Sequence, residues 1–208
     1  RARAILILCL VLLVVVAAVA LVPPGGPRSL RSFDPDRIAD LEVDMWQAYY
    51  RKENLRLFRG LITLLHDQYQ YPWGRAAVTG FYLARAARTF GDATSNYARS
   101  LPDLERAYAR INDWTSGGFD PAQVARAELA WWVARRDPET SDPQNVGRLI
   151  AEENALIFSV PAARVSAPSQ LRALAGRLRD EGGEQADWVT VSAMLHQSWR
   201  GLHTAVNR

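Results

Sequence analysis

From Pro35 onward, apolar positions return every three to four residues between breaks marked by Pro, Gly and Asp. Leu101, Leu104, Tyr108 and Ile111 follow one helical face, as do Val191, Leu195, Trp199, Leu202 and Val206. This spacing predicts helices over 35–52, 54–70, 73–90, 101–115, 121–136, 143–158, 169–181 and 187–206. No useful run of alternating β-branched residues follows Val22.

Three Asp-Pro pairs mark helix starts: Asp34-Pro35, Asp120-Pro121 and Asp142-Pro143. Asp at the N-cap accepts a backbone N–H, and Pro at the first helical position gives up a donor that has no intrahelical partner. Phe33 with Ile38 and Phe119 with Val124 are placed to staple two of these starts. Ala76, Gly80 and Ala84 form a small-residue stripe that lets another helix approach closely. No fixed repeat of Gly, Ala or Pro recurs, so a regular solenoid is not expected.

The first 22 residues read differently. Ile5 to Val22 hold no charge and no hydroxyl. As a helix, this stretch would span about 27 Å, a minimal hydrocarbon crossing. A cleaved signal peptide ending near Ala18-Val19-Ala20 is the competing reading. Against it, the apolar run continues through Leu21 and Val22 with no polar c-region. The expected fold class is therefore all-α: an N-terminal single transmembrane helix, then one bundle of seven or eight mostly antiparallel helices. The divisions are 1–22 anchor, 23–33 Pro/Gly stalk and 34–208 globular domain. Contact with the lipid bilayer is expected through residues 5–22, with the domain extracytoplasmic.

Charge changes the picture only at the start of the chain. The formal net charge is +3. Residues 1–33 hold Arg1, Arg3, Arg28 and Arg31 and no acid, which leaves 21 basic against 22 acidic residues in 34–208. The basic excess flanks the apolar run, where it suits anionic headgroups, and nucleic acid is not an expected partner. The single cysteine, Cys9, lies in the apolar run, which excludes an internal disulfide framework. Gly-x-Ser-x-Gly, a Gly-rich phosphate loop and a cysteine nucleophile in the domain are all absent. No cofactor is implied, and the chain reads as a binding protein rather than an enzyme.

Three glutamates stand where apolar residues belong. Glu42 has Ile38, Met45, Trp46 and Tyr49 on its face; Glu128 has Val124, Trp131 and Trp132; Glu153 has Leu149, Ile150, Leu156 and Ile157. All three carboxylates should point inward as a buried polar network. Each then needs an Arg, a His, a Trp or Tyr donor, a metal or a proton. A metal site would draw on Glu42, Glu128, Glu153 and His196. The Glu-x-x-His spacing of di-iron bundles is missing, however, which favours structural pairing with Arg and Trp.

Trp46, Tyr50, Tyr71, Trp73, Trp131 and Trp132 are candidates for an interface or a ligand pocket. Arg172, Arg177 and Arg179 flank Leu171, Leu174 and Leu178 and read as a solvated face. Together these features suggest a membrane-tethered interaction module, an accessory or scaffold subunit of a membrane-protein complex. The alternative is a carboxylate-rich bundle that binds a metal or small ligand through its inward glutamates.

Overall fold

A computed structural model describes residues 2–208. Within the first helix, the side chains described are Ile7, Cys9–Ala18, Ala20 and Leu21. The described residues are all-α, with nine α-helices, two short 3-10 turns and no strand. The helices are α1 (Ala2–Leu21), α2 (Pro35–Tyr50), α3 (Asn54–Tyr69), α4 (Trp73–Asp92), α5 (Leu101–Thr115), α6 (Pro121–Arg136), α7 (Pro143–Phe158), α8 (Ala162–Gly182) and α9 (Trp188–Val206).

The Asp-Pro signals act as their chemistry requires. Asp34 accepts from the backbone N–H groups of Asp36 and Arg37, Asp120 from Ala122 and Gln123, and Asp142 from Gln144 and Asn145. Asp187 caps α9 in the same way, without a proline. Three helices end on non-glycine residues in the left-handed region, at Gln70, Ser116 and Ser159.

Helices α2 to α9 pack in chain order, each against the next, and α9 returns onto α2 to close a ring. The seam is tied by side chains. The Arg31 guanidinium donates to the carbonyls of Val206 and Phe158, and Asn207 Nδ2 donates to the Arg31 carbonyl at 3.1 Å. Phe33, Ile38, Leu104, Val124, Val165, Leu202 and Val206 belong to one buried cluster that runs around the ring. Glycine allows two of the close approaches. A Cβ at Gly80 would meet Ile62 of α3 at 3.3 Å, and one at Gly147 would meet Gln170 of α8 at 2.5 Å.

One boundary differs from the sequence expectation by more than two residues. The eighth helix begins at Ala162, not 169, and carries Pro168 inside it. Proline removes one N–H and normally ends a helix. Here the next helix supports it: Ser198 Oγ donates to the Pro168 carbonyl at 2.7 Å, and Gly201 leaves room for the ring.

Helix α1 lies against α4, where a Cβ at Gly74 would stand 2.9 Å from the Ala20 carbonyl oxygen. Its described apolar side chains are exposed, among them Leu10, Leu13, Val16 and Leu21. Among the described residues, no helix is long and apolar enough to cross a membrane. The span expected over 5–22 includes Ile5, Leu6, Leu8 and Val19, whose side chains lie outside the described set, as does Arg1.

Candidate functional site: a carboxyl-floored aromatic cavity

A cavity of about 410 Å³ opens at one end of the ring. Its walls come from the C-terminal halves of α2, α4, α6 and α8 and the first turns of α3. Trp46, Tyr49, Tyr50, Phe90, Trp131 and Trp132 supply its aromatic surface, while Glu42, Glu128 and Arg172 are its inner polar residues.

Glu42 and Glu153 are buried, at 4% and 5% exposure. Arg172 grips Glu42 through Nε at 2.8 Å and through Nη2, both on Oε1, while Trp199 Nε1 donates to Oε2. Glu153 takes neutral donors instead: the Tyr108 hydroxyl at 3.0 Å on Oε1 and Trp131 Nε1 at 2.7 Å on Oε2. Glu128 reaches the same tyrosine hydroxyl, whose single proton is directed at Glu153. Its residue surface is half-buried, yet Oε2 is closed off from solvent and has no hydrogen-bond partner. Among the cavity-lining residues it is the one buried polar side-chain atom left in that condition.

The electrostatics follow from this layout. Burial raises Glu128 well above the usual carboxylate range. Repulsion from Glu153 adds to the rise, and Tyr108 and Arg172 only partly offset it. Burial likewise raises Glu153, opposed by Arg172 and by its Trp131 and Tyr108 donors. Burial alone would lower Arg172, but Glu42 and Glu153 more than reverse that and keep it a cation. Three carboxyls thus surround one guanidinium, and burial with mutual repulsion favours a proton on the Glu128–Glu153 pair.

The arginines at the mouth are already engaged. Arg135 Nε donates to Asp180 at 2.7 Å, and its Nη2 donates to the Tyr50 hydroxyl and the Gly176 carbonyl. Arg136 Nη1 donates to the carbonyls of Phe90 and Ala93 at the end of α4. Gly176 makes room for this: a Cβ there would come within 2.9 Å of the Arg135 guanidinium carbon.

Several sequence expectations are corrected. His196 bonds Asp36 at 3.0 Å and Asp40 at 3.1 Å on the outside of α2 rather than a glutamate. Among the described residues, no three His, Cys, Asp or Glu side chains gather as a metal site, and Arg172 supplies the cation that a metal would have brought. Trp46, Tyr50, Trp131 and Trp132 line the cavity, whereas Tyr71 lines a separate pocket of about 170 Å³ with Arg75, Thr79, Arg110 and Asp113, and Trp73 lines neither. Tyr71 is buried elsewhere, donating to the Arg110 carbonyl at 3.1 Å, and Trp73 stacks on His66 at 3.7 Å.

Arg172 does not belong to a solvated face. The buried side of α8 consists of Val165, Ser169, Ala173 and Gly176, small residues that bring Arg172 in beside them, while Leu174 is exposed. Tyr108 and Trp199 were legible only as apolar-face residues; their roles as donors to Glu153 and Glu42 depend on the tertiary arrangement.

Compared with known protein families, curated proteins and solved structures, the chain matches none.

Proposed function

We propose that this chain is a membrane-tethered helical module whose cavity holds a small organic ligand. The carrying observation is a cavity of about 410 Å³, walled by aromatic rings and floored by a carboxyl group with an unpartnered oxygen. That volume lies in the range of small-molecule sites, and a largely apolar wall with a few fixed polar groups is their usual composition. The tether reading rests on the uncharged run from Ile5 to Val22 and the Pro/Gly stalk after it, which would keep the domain close to the bilayer on its extracytoplasmic side.

Native mass spectrometry of the full chain, extracted in mild detergent, tests the ligand reading. The expected result is a bound species of a few hundred daltons that is lost in Trp131→Ala. A chain that carries nothing, and whose tryptophan fluorescence responds to no member of a small-molecule panel, would overturn it.

A second reading has its own support. Trp73, Val78 and Phe81 are exposed along α4, the helix against which α1 lies. That apolar strip suits a membrane-protein partner, with this chain as an accessory or scaffold subunit. Stoichiometric recovery of one integral membrane protein, abolished by Phe81→Glu, would favour this role.

A further inference from the structure

We infer that the cavity selects an organic cation, an aryl- or alkylammonium whose charged end sits on Glu128 and whose apolar body lies among Trp46, Tyr49, Trp131 and Trp132. The inference rests on the ligand reading above and names the chemistry of that same site.

Three independent features converge on it. The first is charge: Glu42, Glu128 and Glu153 share a single buried guanidinium, Arg172, and Glu42 takes both of that arginine's hydrogen bonds. Ionised, the three carboxyls would outnumber that cation by two charges, so the cluster has room for a proton or a further cation. The second is the direction of unmet capacity. Arg135 and Arg136 are spent on Asp180, Tyr50 and helix-end carbonyls. Among the lining residues the unpaired buried atom is a carboxyl oxygen, Glu128 Oε2, which a ligand's charged end would reach as the side chain turns. The third is the backbone. The C-terminal halves of α2, α4, α6 and α8 surround the cavity, and helix C-termini carry the negative end of the helix dipole.

A metal ion fits less well, because most of the residues that line the cavity with Glu128 are aromatic or aliphatic rather than oxygen donors. Such faces attract ammonium groups through the ring quadrupole.

Proton traffic gives this site a signature. The groups facing Glu128 are the Tyr108 hydroxyl of α5, Glu153 of α7, Arg172 of α8 and, beyond it, Glu42 of α2. With the cavity empty, burial beside Glu153 favours a proton on Glu128. An arriving ammonium replaces that proton as the neutralising charge. Glu128 releases H⁺ to solvent, and no covalent bond is made or broken in the ligand.

The test is isothermal titration of the full chain in neutral-lipid nanodiscs, with empty nanodiscs subtracted. The probes are 4-phenylbutylamine, 4-phenylbutanol and 4-phenylbutyrate. The amine should bind about tenfold or more tightly than the alcohol, as a charge-assisted bond in a dry site requires, and the carboxylate most weakly. Near neutral pH, the amine's heat should change between buffers of different ionisation enthalpy, showing proton release; the alcohol's should not. Glu128→Gln should bring the amine down to about the alcohol's affinity and abolish the buffer dependence of its heat, with an unchanged circular dichroism spectrum showing that the variant is folded. Equal binding of amine and alcohol, or a preference for the amine that survives Glu128→Gln, would overturn the cation assignment and leave the ligand reading standing. Binding of none of the three would overturn the cation assignment, and an absence of any native ligand would then remove the ligand reading as well.

Discussion

Arg172 directs two nitrogens at a single oxygen of Glu42, which leaves the other oxygen to the indole of Trp199. The pair joins α8 to α2 across the inner end of the cavity, where Glu42 is 5% exposed and Arg172 21% exposed by side chain. Glu42→Gln keeps the shape and removes the charge, leaving a guanidinium buried beside carboxyls that take their bonds elsewhere. The expected cost is about 3–5 kcal/mol in a urea unfolding series. Arg177→Gln, which breaks the exposed pair with Glu181, should cost well under about 1 kcal/mol and serves as the control.

Glu128 should make the fold less stable as pH rises. Its carboxyl is held above the ordinary value in the folded chain, so between that value and the raised one the folded state binds more protons than the unfolded state. The slope of unfolding free energy with pH is then negative, up to about 1.4 kcal/mol per pH unit for one proton. The stabilisation is complete below the ordinary carboxylate value and is lost as pH climbs through the raised one. Glu128→Gln should flatten the fall in melting temperature between about pH 5 and pH 8 and exceed the parent at the upper end. Parallel curves for parent and variant would show that the carboxyl is ionised in both states.

Tyr108→Phe should act through Glu153. The hydroxyl donates at 3.0 Å to a buried carboxylate oxygen, and its removal leaves that oxygen without a partner. A loss of about 1–3 kcal/mol is expected, with Glu153 rising further above its ordinary range. Trp131→Phe removes the other donor and should shift Glu153 in the same direction.

Gly147→Ala should separate α7 from α8. The added methyl would stand 2.5 Å from the Gln170 side-chain oxygen and 3.0 Å from the Gln170 Cα, and the backbone atom cannot swing aside. Overpacking of this kind costs about 1–3 kcal/mol, against about 1 kcal/mol gained from the better helix propensity of alanine. A variant more stable than the parent would show that the two helices have slack.

Helix positions were readable in the sequence wherever a cap or a face carried the signal. Asp34, Asp120 and Asp142 act through local chemistry, and each stands at a helix start. Glu42, Glu128 and Glu153 could be placed on apolar faces because neighbours at three and four residues are fixed by the helix itself. Partners were not readable, because they lie on other helices. Arg172 answers Glu42 from a sequence distance of 130 residues and Tyr108 answers Glu153 from 45. The buried side of α8 was not legible, because a closely packed helix buries its small residues and leaves Leu174 exposed. Nor was its start, because a helix carries Pro168 inside it only with support, and the supporting hydroxyl comes from α9.

The closure of the ring bears on the order of assembly. Seven of its eight contacts join helices adjacent in the chain, and such local contacts form early at little entropic cost. The α2–α9 contact instead requires Arg31 to find Val206 across 175 residues. An open arc of eight helices would already hold most of the neighbour packing and yet have no binding chamber, since α2 supplies one wall and α6 and α8 the opposite one. An occupant touching both walls would act as a clasp, slowing the parting of first and last helices more than it slows the fraying of any interior pair.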